Sequence, residues 1–274
     1  MSLLIFSHGN SFPASTYGVM LTSLKKRGFA VKCIEKLGHD ARYPVTNNWP
    51  HIVQELADFA RPLVEKSGEP AWLVGHSLGG ILSTMVAAQH PELAKGVVLL
   101  DSPVIGGWKA TALGAAKASG IVGNISPGKI SQRRTQSWAS EEAAYNSFKS
   151  KRAFALWEDA VLRDYIAHGT FDGADGKRHL SFDRAVETQI YNTLPDNLPS
   201  LLRRTPLLVP AAFIGGLQSN ELKRTGTTLT AQFTHNRISW IDGTHLFPME
   251  KPLATAALIE GAIAAMSARD SQKA

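Results

Sequence analysis

The stretch GHSLGG at residues 75–80 decides how this chain folds. It follows the apolar run PAWLV at 70–74 and precedes ILSTMVAAQ at 81–89, which contains no glycine or proline. This order predicts a strand, a sharp turn and a helix, with Ser77 at the apex of the turn. Gly75 and Gly79 stand where a Cβ would collide with neighbouring backbone, and a strained turn lifts the serine oxygen clear of the sheet. We interpret Ser77 as the candidate nucleophile; the alternative is a turn that only lets helix and strand pack closely.

A serine hydroxyl is a poor nucleophile at neutral pH, so a base must lie near it. His245 follows the predicted strand RISWI at 237–241 and precedes a predicted helix over about 253–266. A loop position of this kind allows an imidazole to reach over the serine turn and take its proton. Because the chain has 9 histidines, a solvated loop histidine is the alternative interpretation.

The N-terminal run LLIF at 3–6 predicts a short buried strand that leads into SHGNSFP at 7–13. A His-Gly pair at a strand end forms a tight turn, after which a backbone N–H can face a cleft. We expect the N–H groups of Asn10 and Leu78 to form an oxyanion hole. His8 is expected to brace this loop.

These three segments, in this order, resemble the α/β-hydrolase superfamily over nearly the whole chain. LGHD at 37–40 looks like the family's loop after its fourth strand, and HLFPMEKP at 245–252 is similar to its C-terminal motif. The resemblance implies an α/β fold with a mostly parallel sheet of about six strands, lacking the usual first two, and an inserted helical cap. It also implies a serine hydrolase that cleaves a carboxylic ester through an acyl-enzyme and needs no cofactor or metal.

The chain departs from the family pattern at the acid. The family carboxylate usually follows the strand that here ends near Ile214, yet GGLQSN at 215–220 contains no aspartate. Asp101, at the end of the preceding strand, and Glu221 remain as candidates, because the ends of parallel strands share one edge of the sheet. We favour Asp101 over Glu221. Asp242 is expected to shape the turn before His245.

Alternating strand and helix patterns predict a hydrolase core at residues 1–103 and 205–274. A helical cap is expected at 104–204, where the sequence shows no convincing strand. The predicted core strands lie near 2–7, 29–34, 71–75, 96–101, 206–214 and 235–241. We expect Trp108, Trp138 and Trp157 of the cap to bind an apolar or aromatic acyl or alcohol group. The alternative is that these rings form the cap's own small core.

Composition agrees with a globular enzyme. The chain has 274 residues, of which 44% are hydrophobic and 19% charged, and no apolar run reaches the roughly 18 residues of a membrane-spanning helix. The first predicted strand begins at the start of the sequence, so no signal peptide is expected. The single cysteine excludes an intramolecular disulfide. We therefore expect a cytoplasmic protein.

The expected partner is a small-molecule ester. Net charge is +6, but short basic pairs such as Arg133–Arg134 are interpreted as solvated surface. No zinc-ligand spacing or phosphate-binding loop is present, so nucleic-acid binding has no support. The sequence does not indicate an oligomeric state.

Two alternatives remain open at this point. Carbon–carbon bond hydrolases of the meta-cleavage type and thioesterases use the same machinery with a different pocket polarity. The missing acid after the strand near 206–214 also leaves open a hydrolase-fold protein that binds a small ligand without turning it over.

Overall fold

The structure is a computed structural model that describes residues 1–105, 108–119 and 128–270. Its strands are β1 (Ser2–Ser7), β2 (Phe29–Cys33), β3 (Ala71–His76), β4 (Ala94–Leu100), β5 (Ser137–Trp138), β6 (Thr170–Asp172), β7 (Arg178–Leu180), β8 (Ala211–Gly216) and β9 (Ile238–Ile241). Six of them form one parallel sheet in the order β2-β1-β3-β4-β8-β9. The predicted six-stranded α/β core is confirmed.

The helices are α1 (Gly18–Lys26), α2 (Pro50–Ser67), α3 (Leu78–Gln89), α4 (Trp108–Ala118), α5 (Gly128–Ser131), α6 (Glu141–Lys149), α7 (Asp159–Gly169), α8 (Arg184–Asn192), α9 (Leu198–Arg204), α10 (Asn220–Thr225), α11 (Thr228–Phe233), α12 (Phe247–Glu250) and α13 (Pro252–Asp270). Short 3₁₀ turns lie at Ala14–Tyr17, Pro91–Leu93 and Arg152–Phe154. Within the described residues, no helix is long and apolar enough to cross a membrane.

Two hydrophobic cores lie on opposite faces of the main sheet, as the alternation of side chains along a strand requires. In β1, Leu4 and Phe6 join the core that contains residues of α1 and α13. Leu3 and Ile5 join the core that contains residues of α2 and α3. All four side chains are buried, so β1 is covered on both faces and holds the loop that follows it rigidly.

Prolines displace the start of the fifth core strand. The sequence predicted a strand over 206–214, whereas β8 begins at Ala211. Pro206 and Pro210 have no backbone N–H and cannot donate to the sheet ladder, and Leu208 between them is 78% exposed. At its other end, β8 continues past the predicted boundary at Ile214, to Gly216.

The segment between β4 and β8 is not purely helical. Its short strands β5, β7 and β6 form a small antiparallel sheet, where the sequence predicted no strand. Its helix α7 begins only at Asp159, after the 3₁₀ turn at Arg152–Phe154. Strands of two or three residues are too short for an alternating hydrophobic pattern to be recognisable in the sequence.

Candidate active site

Ser77 lies between β3 and α3 in a backbone conformation that side chains rarely adopt, with φ 52° and ψ −115°. Glycines make this turn possible. A Cβ on Gly75 would lie 2.1 Å from the carbonyl carbon of Gly79, and a Cβ on Gly79 would lie 2.0 Å from the Ser7 oxygen. The Ser77 N–H donates to the Leu100 carbonyl at 3.0 Å, which ties the turn to β4. This is the strained strand-to-helix turn expected from the sequence.

Asp101 and His245 meet at the carboxyl edge of the sheet. Nδ1 of His245 lies 2.7 Å from Oδ2 of Asp101, and the aspartate is 1% exposed. The same carboxylate accepts hydrogen bonds from the Gly216 N–H at 2.8 Å and from the Ser219 hydroxyl at 2.5 Å. Thus the last residue of β8 and the loop after it supply hydrogen-bond donors to an acid that follows the end of β4.

Glu221, the alternative acid, is further from the imidazole. Its Oε2 lies 4.0 Å from Nδ1 of His245, and its side chain is 47% exposed. That distance exceeds a hydrogen bond, so in this structure Asp101 alone of the two candidates bonds the ring. Asp242 lies in the turn before His245, where it accepts a hydrogen bond from the Gln218 side-chain amide.

Opposing effects act on the pKa of His245. Burial lowers it, but the Asp101 hydrogen bond raises it, as do the charges of Asp101, Glu221 and Glu250, and the net pKa is above the ordinary value. The Glu250 carboxylate also accepts the Thr244 N–H at 2.9 Å, which fixes the backbone immediately before the histidine. A carboxylate at Nδ1 favours the tautomer in which Nε2 carries no proton and can act as a base.

A buried hydrogen-bond chain connects the loop after β1 to the histidine loop. The Gly9 N–H donates to the Tyr17 hydroxyl at 3.0 Å, and this hydroxyl lies 2.7 Å from Nδ1 of His76. Nε2 of His76 lies 2.9 Å from the His245 carbonyl oxygen. That oxygen can only accept, so Nε2 carries the proton and Tyr17 donates to Nδ1. Burial, followed by the nearby His245, lowers the pKa of His76 to about 3, and the ring is therefore neutral.

The backbone around the two expected oxyanion donors is firmly held. His8 donates from Nδ1 to the Gly9 carbonyl and accepts the Leu37 N–H at Nε2, so it braces the loop. Within the described part of the chain, neither the Asn10 N–H nor the Leu78 N–H donates to another protein group. Asn10 also lines the cavity that contains Ser77 and His245.

Trp138 and Trp157 do not line this cavity, which has a volume of about 1540 Å³. Trp138 and Trp157 are buried in a cluster of rings with Phe148, Phe154 and Tyr165. Their indole nitrogens have no hydrogen-bond partner among the described residues, which agrees with a hydrophobic core of the cap. The side chain of Trp108 lies outside the described part of the chain.

Other residues line the cavity instead. Its apolar surface includes Phe12, Phe154 and Leu246. The segment between β4 and β8 also contributes several cations, among them Arg134, for which the sequence predicts a solvated surface position. Arg134 is 15% exposed at its side chain and forms an ion pair with Glu187 at 3.0 Å. The adjacent arginines in the sequence do not indicate that Arg134 will pair with Glu187, 53 positions later, and become largely buried.

Asp101, Glu221 and His245 are also the residues that could hold a metal ion, since one potential ligand atom of each lies within 4.8 Å of the others. Both oxygens of Asp101 already accept hydrogen bonds, and Nδ1 of His245 is engaged by one of them. The hydrogen-bonded pair accounts for the positions of these atoms.

The chain belongs to the α/β-hydrolase family, whose sequence model matches residues 4–258. A relative from Mycobacterium phage D29, provisionally named a non-heme haloperoxidase, is 26% identical over 93% of this chain and 85% of its own length. Monoglyceride lipase of Rattus norvegicus is 25% identical over 53% of this chain and 51% of the lipase.

A solved structure has the same fold. E-2-(acetamidomethylene)succinate hydrolase superposes with a TM-score of 0.74 at 22% identity, covering 96% of this chain and 91% of that chain. The protein is accordingly a hydrolase of the α/β family with lipase-like relatives.

Proposed function

We propose that this protein is a serine hydrolase that cleaves a carboxylic ester through an acyl-enzyme. The observation that carries the proposal is the contact between Nδ1 of His245 and Asp101 at 2.7 Å, with Ser77 and His245 lining one cavity. An imidazole oriented by a carboxylate, facing the same cavity as a serine at a strained turn, provides the groups that activate a hydroxyl for acyl transfer.

In the proposed reaction, Ser77 attacks the ester carbonyl while Nε2 of His245 takes its proton. Asp101 holds the tautomer and stabilises the imidazolium that forms. The N–H groups of Asn10 and Leu78 stabilise the oxyanion. His245 then protonates the leaving alcohol, and a water activated by the same imidazole releases the acid.

The proposed pocket is covered by the segment between β4 and β8, of which described residues from Lys129 to Tyr191 line the cavity. An apolar part of the substrate would contact Phe12, Phe154 and Leu246, which line the cavity. These side chains take the role that the sequence analysis gave to Trp138 and Trp157. Apolar side chains supply most of the contact area of small-molecule sites, and a few polar groups fix the orientation.

Labelling with a fluorophosphonate probe tests the nucleophile. The wild-type protein is expected to react at a single site, and Ser77→Ala is expected to abolish labelling. Ser67→Ala is the matched control, because Ser67 is exposed and does not line the cavity. A wild-type protein that remains unlabelled would favour the ligand-binding alternative.

A substrate panel then tests the bond that is cleaved. Carboxylic esters, thioesters and ring-cleavage diketones are compared on the same preparation, with Ser77→Ala as the blank. The proposal expects the highest kcat/KM for carboxylic esters. Faster turnover of a thioester or a diketone would replace the ester assignment while keeping the same nucleophile.

A further inference from the structure

The cavity that contains Ser77 has an excess of positive charge on its cap side. Six cationic side chains line it, and three carboxylates oppose them. The cations are Lys129, Arg133, Arg134, Lys151, Arg152 and Lys223. One carboxylate, Glu187, is committed to Arg134, and another, Glu250, accepts the Thr244 N–H. The third, Glu221, lies beside His245.

Among these cations, Lys151 is distinguished by being partly buried without a counter-charge in the described part of the chain, whereas Lys129, Arg133, Arg152 and Lys223 are exposed. It is half-buried, and within the described residues it forms neither an ion pair nor a side-chain hydrogen bond. Its Nζ lies 4.4 Å from the centre of the Phe148 ring. Burial lowers the pKa of the Lys151 ammonium, and the charge of Arg134 lowers it further. Burying a charge in this way is unfavourable unless a partner compensates it.

Arg134 provides a second fixed cation next to Lys151. Its guanidinium lies 5.8 Å from the centre of the same Phe148 ring, and it is held by Glu187 and by the Tyr165 hydroxyl at 2.6 Å. Two cations on one aromatic ring repel each other, and a bound anion would remove that repulsion. Phe148, Arg134 and Lys151 all line the cavity that holds Ser77.

We propose that the ester cleaved at Ser77 carries a compact anionic group, a carboxylate or a phosphate, which Lys151 binds next to Arg134 on the cap wall. This inference rests on the proposed function, because it describes the substrate of the same site. The apolar part of the substrate would lie between the anion and the reacting carbonyl, along Phe154. Binding of the anionic group by Lys151 thus fixes the orientation of the substrate before Ser77 attacks.

Matched pairs of esters test the inference, with acid release followed by titration at constant pH. Monomethyl glutarate is compared with the methyl ester of glutaric monoamide, and 2-acetoxyethyl phosphate with 2-acetoxyethanol. We expect kcat/KM to be about 10-fold or more higher for at least one anionic member than for its neutral partner, the scale of one charge-assisted hydrogen bond. The pair with the larger ratio distinguishes carboxylate from phosphate.

Variants connect the preference to Lys151. Lys151→Gln is expected to reduce the ratio of anionic to neutral kcat/KM by about 10-fold, and Lys151→Arg to preserve most of it. Lys149→Gln is the matched control, since Lys149 pairs with Asp159 and does not line the cavity; its ratio should equal that of the wild type. Equal rates within both pairs, or a preference unchanged in Lys151→Gln, would overturn the inference.

Binding without turnover separates the two proposals. Calorimetric titration of Ser77→Ala with monomethyl glutarate and with its amide analogue measures recognition alone. Tighter binding of the anion that is lost in Ser77→Ala/Lys151→Gln supports the inference even if Ser77 proves not to be the nucleophile. Equal binding of both compounds contradicts it even if Ser77-dependent hydrolysis is found.

Discussion

Replacing Asp101 by asparagine tests the proposed acid while keeping the shape of the side chain. The carboxylate accepts three hydrogen bonds, from the Gly216 N–H, the Ser219 hydroxyl and the His245 ring. In Asp101→Asn, the amide oxygen can keep the bond from Gly216. The amide NH₂ then faces Ser219, which can rotate its hydroxyl and accept, and His245, which must present an unprotonated Nδ1. The ring would carry its proton on Nε2, where it cannot accept one from Ser77.

A wrong histidine tautomer in a serine–histidine–aspartate site costs about 10⁴-fold in kcat, which is about 5 kcal/mol of transition-state stabilisation. We expect this loss in Asp101→Asn, measured as steady-state kcat on a short p-nitrophenyl ester, with circular dichroism as the check on folding. Glu221→Gln is the matched control and should retain kcat within a few-fold. Retention of more than about a tenth of kcat in Asp101→Asn, with a large loss in Glu221→Gln, would refute the assignment and make Glu221 the acid.

Three further predictions concern charge and buried hydrogen bonds. Glu221 helps to raise the pKa of His245. Since the base must be unprotonated, Glu221→Gln should move the acid limb of the pH–rate profile to lower pH, and an upward shift would contradict this. Tyr17→Phe leaves the Gly9 N–H and Nδ1 of His76 buried without their partner, so chemical denaturation should show a free energy of unfolding lower by about 1–3 kcal/mol. We also expect a lower kcat at unchanged KM. An unaltered kcat would contradict a role of these hydrogen bonds in positioning His245. Burial raises the pKa of Glu55 to about 7, so the folded state binds this proton more tightly than the unfolded state and stability falls as pH rises from about 4.5 to about 7. At pH 8, Glu55→Gln should therefore be more stable than the wild type by about 1–3 kcal/mol and unfold at a higher temperature. At pH 4, the two proteins should unfold at similar temperatures. An equal gain at both pH values would contradict the assignment.

The sequence predicted the core well because its signals are local. The turn around Ser77 requires glycine at 75 because a Cβ there would collide with Gly79 of the same turn, whereas Gly79 is required by the close approach of Ser7. Both glycines and the serine nevertheless lie within five residues, so the motif can be recognised locally. The strands of the main sheet are short apolar runs bounded by loops, and such runs can be recognised from the sequence alone. The candidates for the acid that orients His245 could be narrowed to Asp101 and Glu221, since the parallel strands that precede them end at the same edge of the sheet.

The cap was harder to predict because its contacts are not local. The ring cluster around Tyr165 joins residues from α6, α7 and the turn between them, and the sequence does not say which faces of these rings are covered. Arg134 and Glu187 pair across 53 positions. A tryptophan in an aromatic-rich segment is equally compatible with a ligand wall and with a core, and the packing partners that decide between them are visible only in three dimensions.

The ring of Phe12 has a consequence for how the cap and the core move together. It packs against Tyr165 and Trp157 of the cap at centroid distances of 5.7 and 6.2 Å, and it is only two residues beyond Asn10 in the loop after β1. If Tyr165 and Trp157 move away from the sheet to admit a ligand, they must either slide past the Phe12 ring or pull the loop after β1 with them. In the second case the proposed oxyanion donor Asn10 would move with these rings, so the proposed site would keep its shape only while Phe12 stays packed against them.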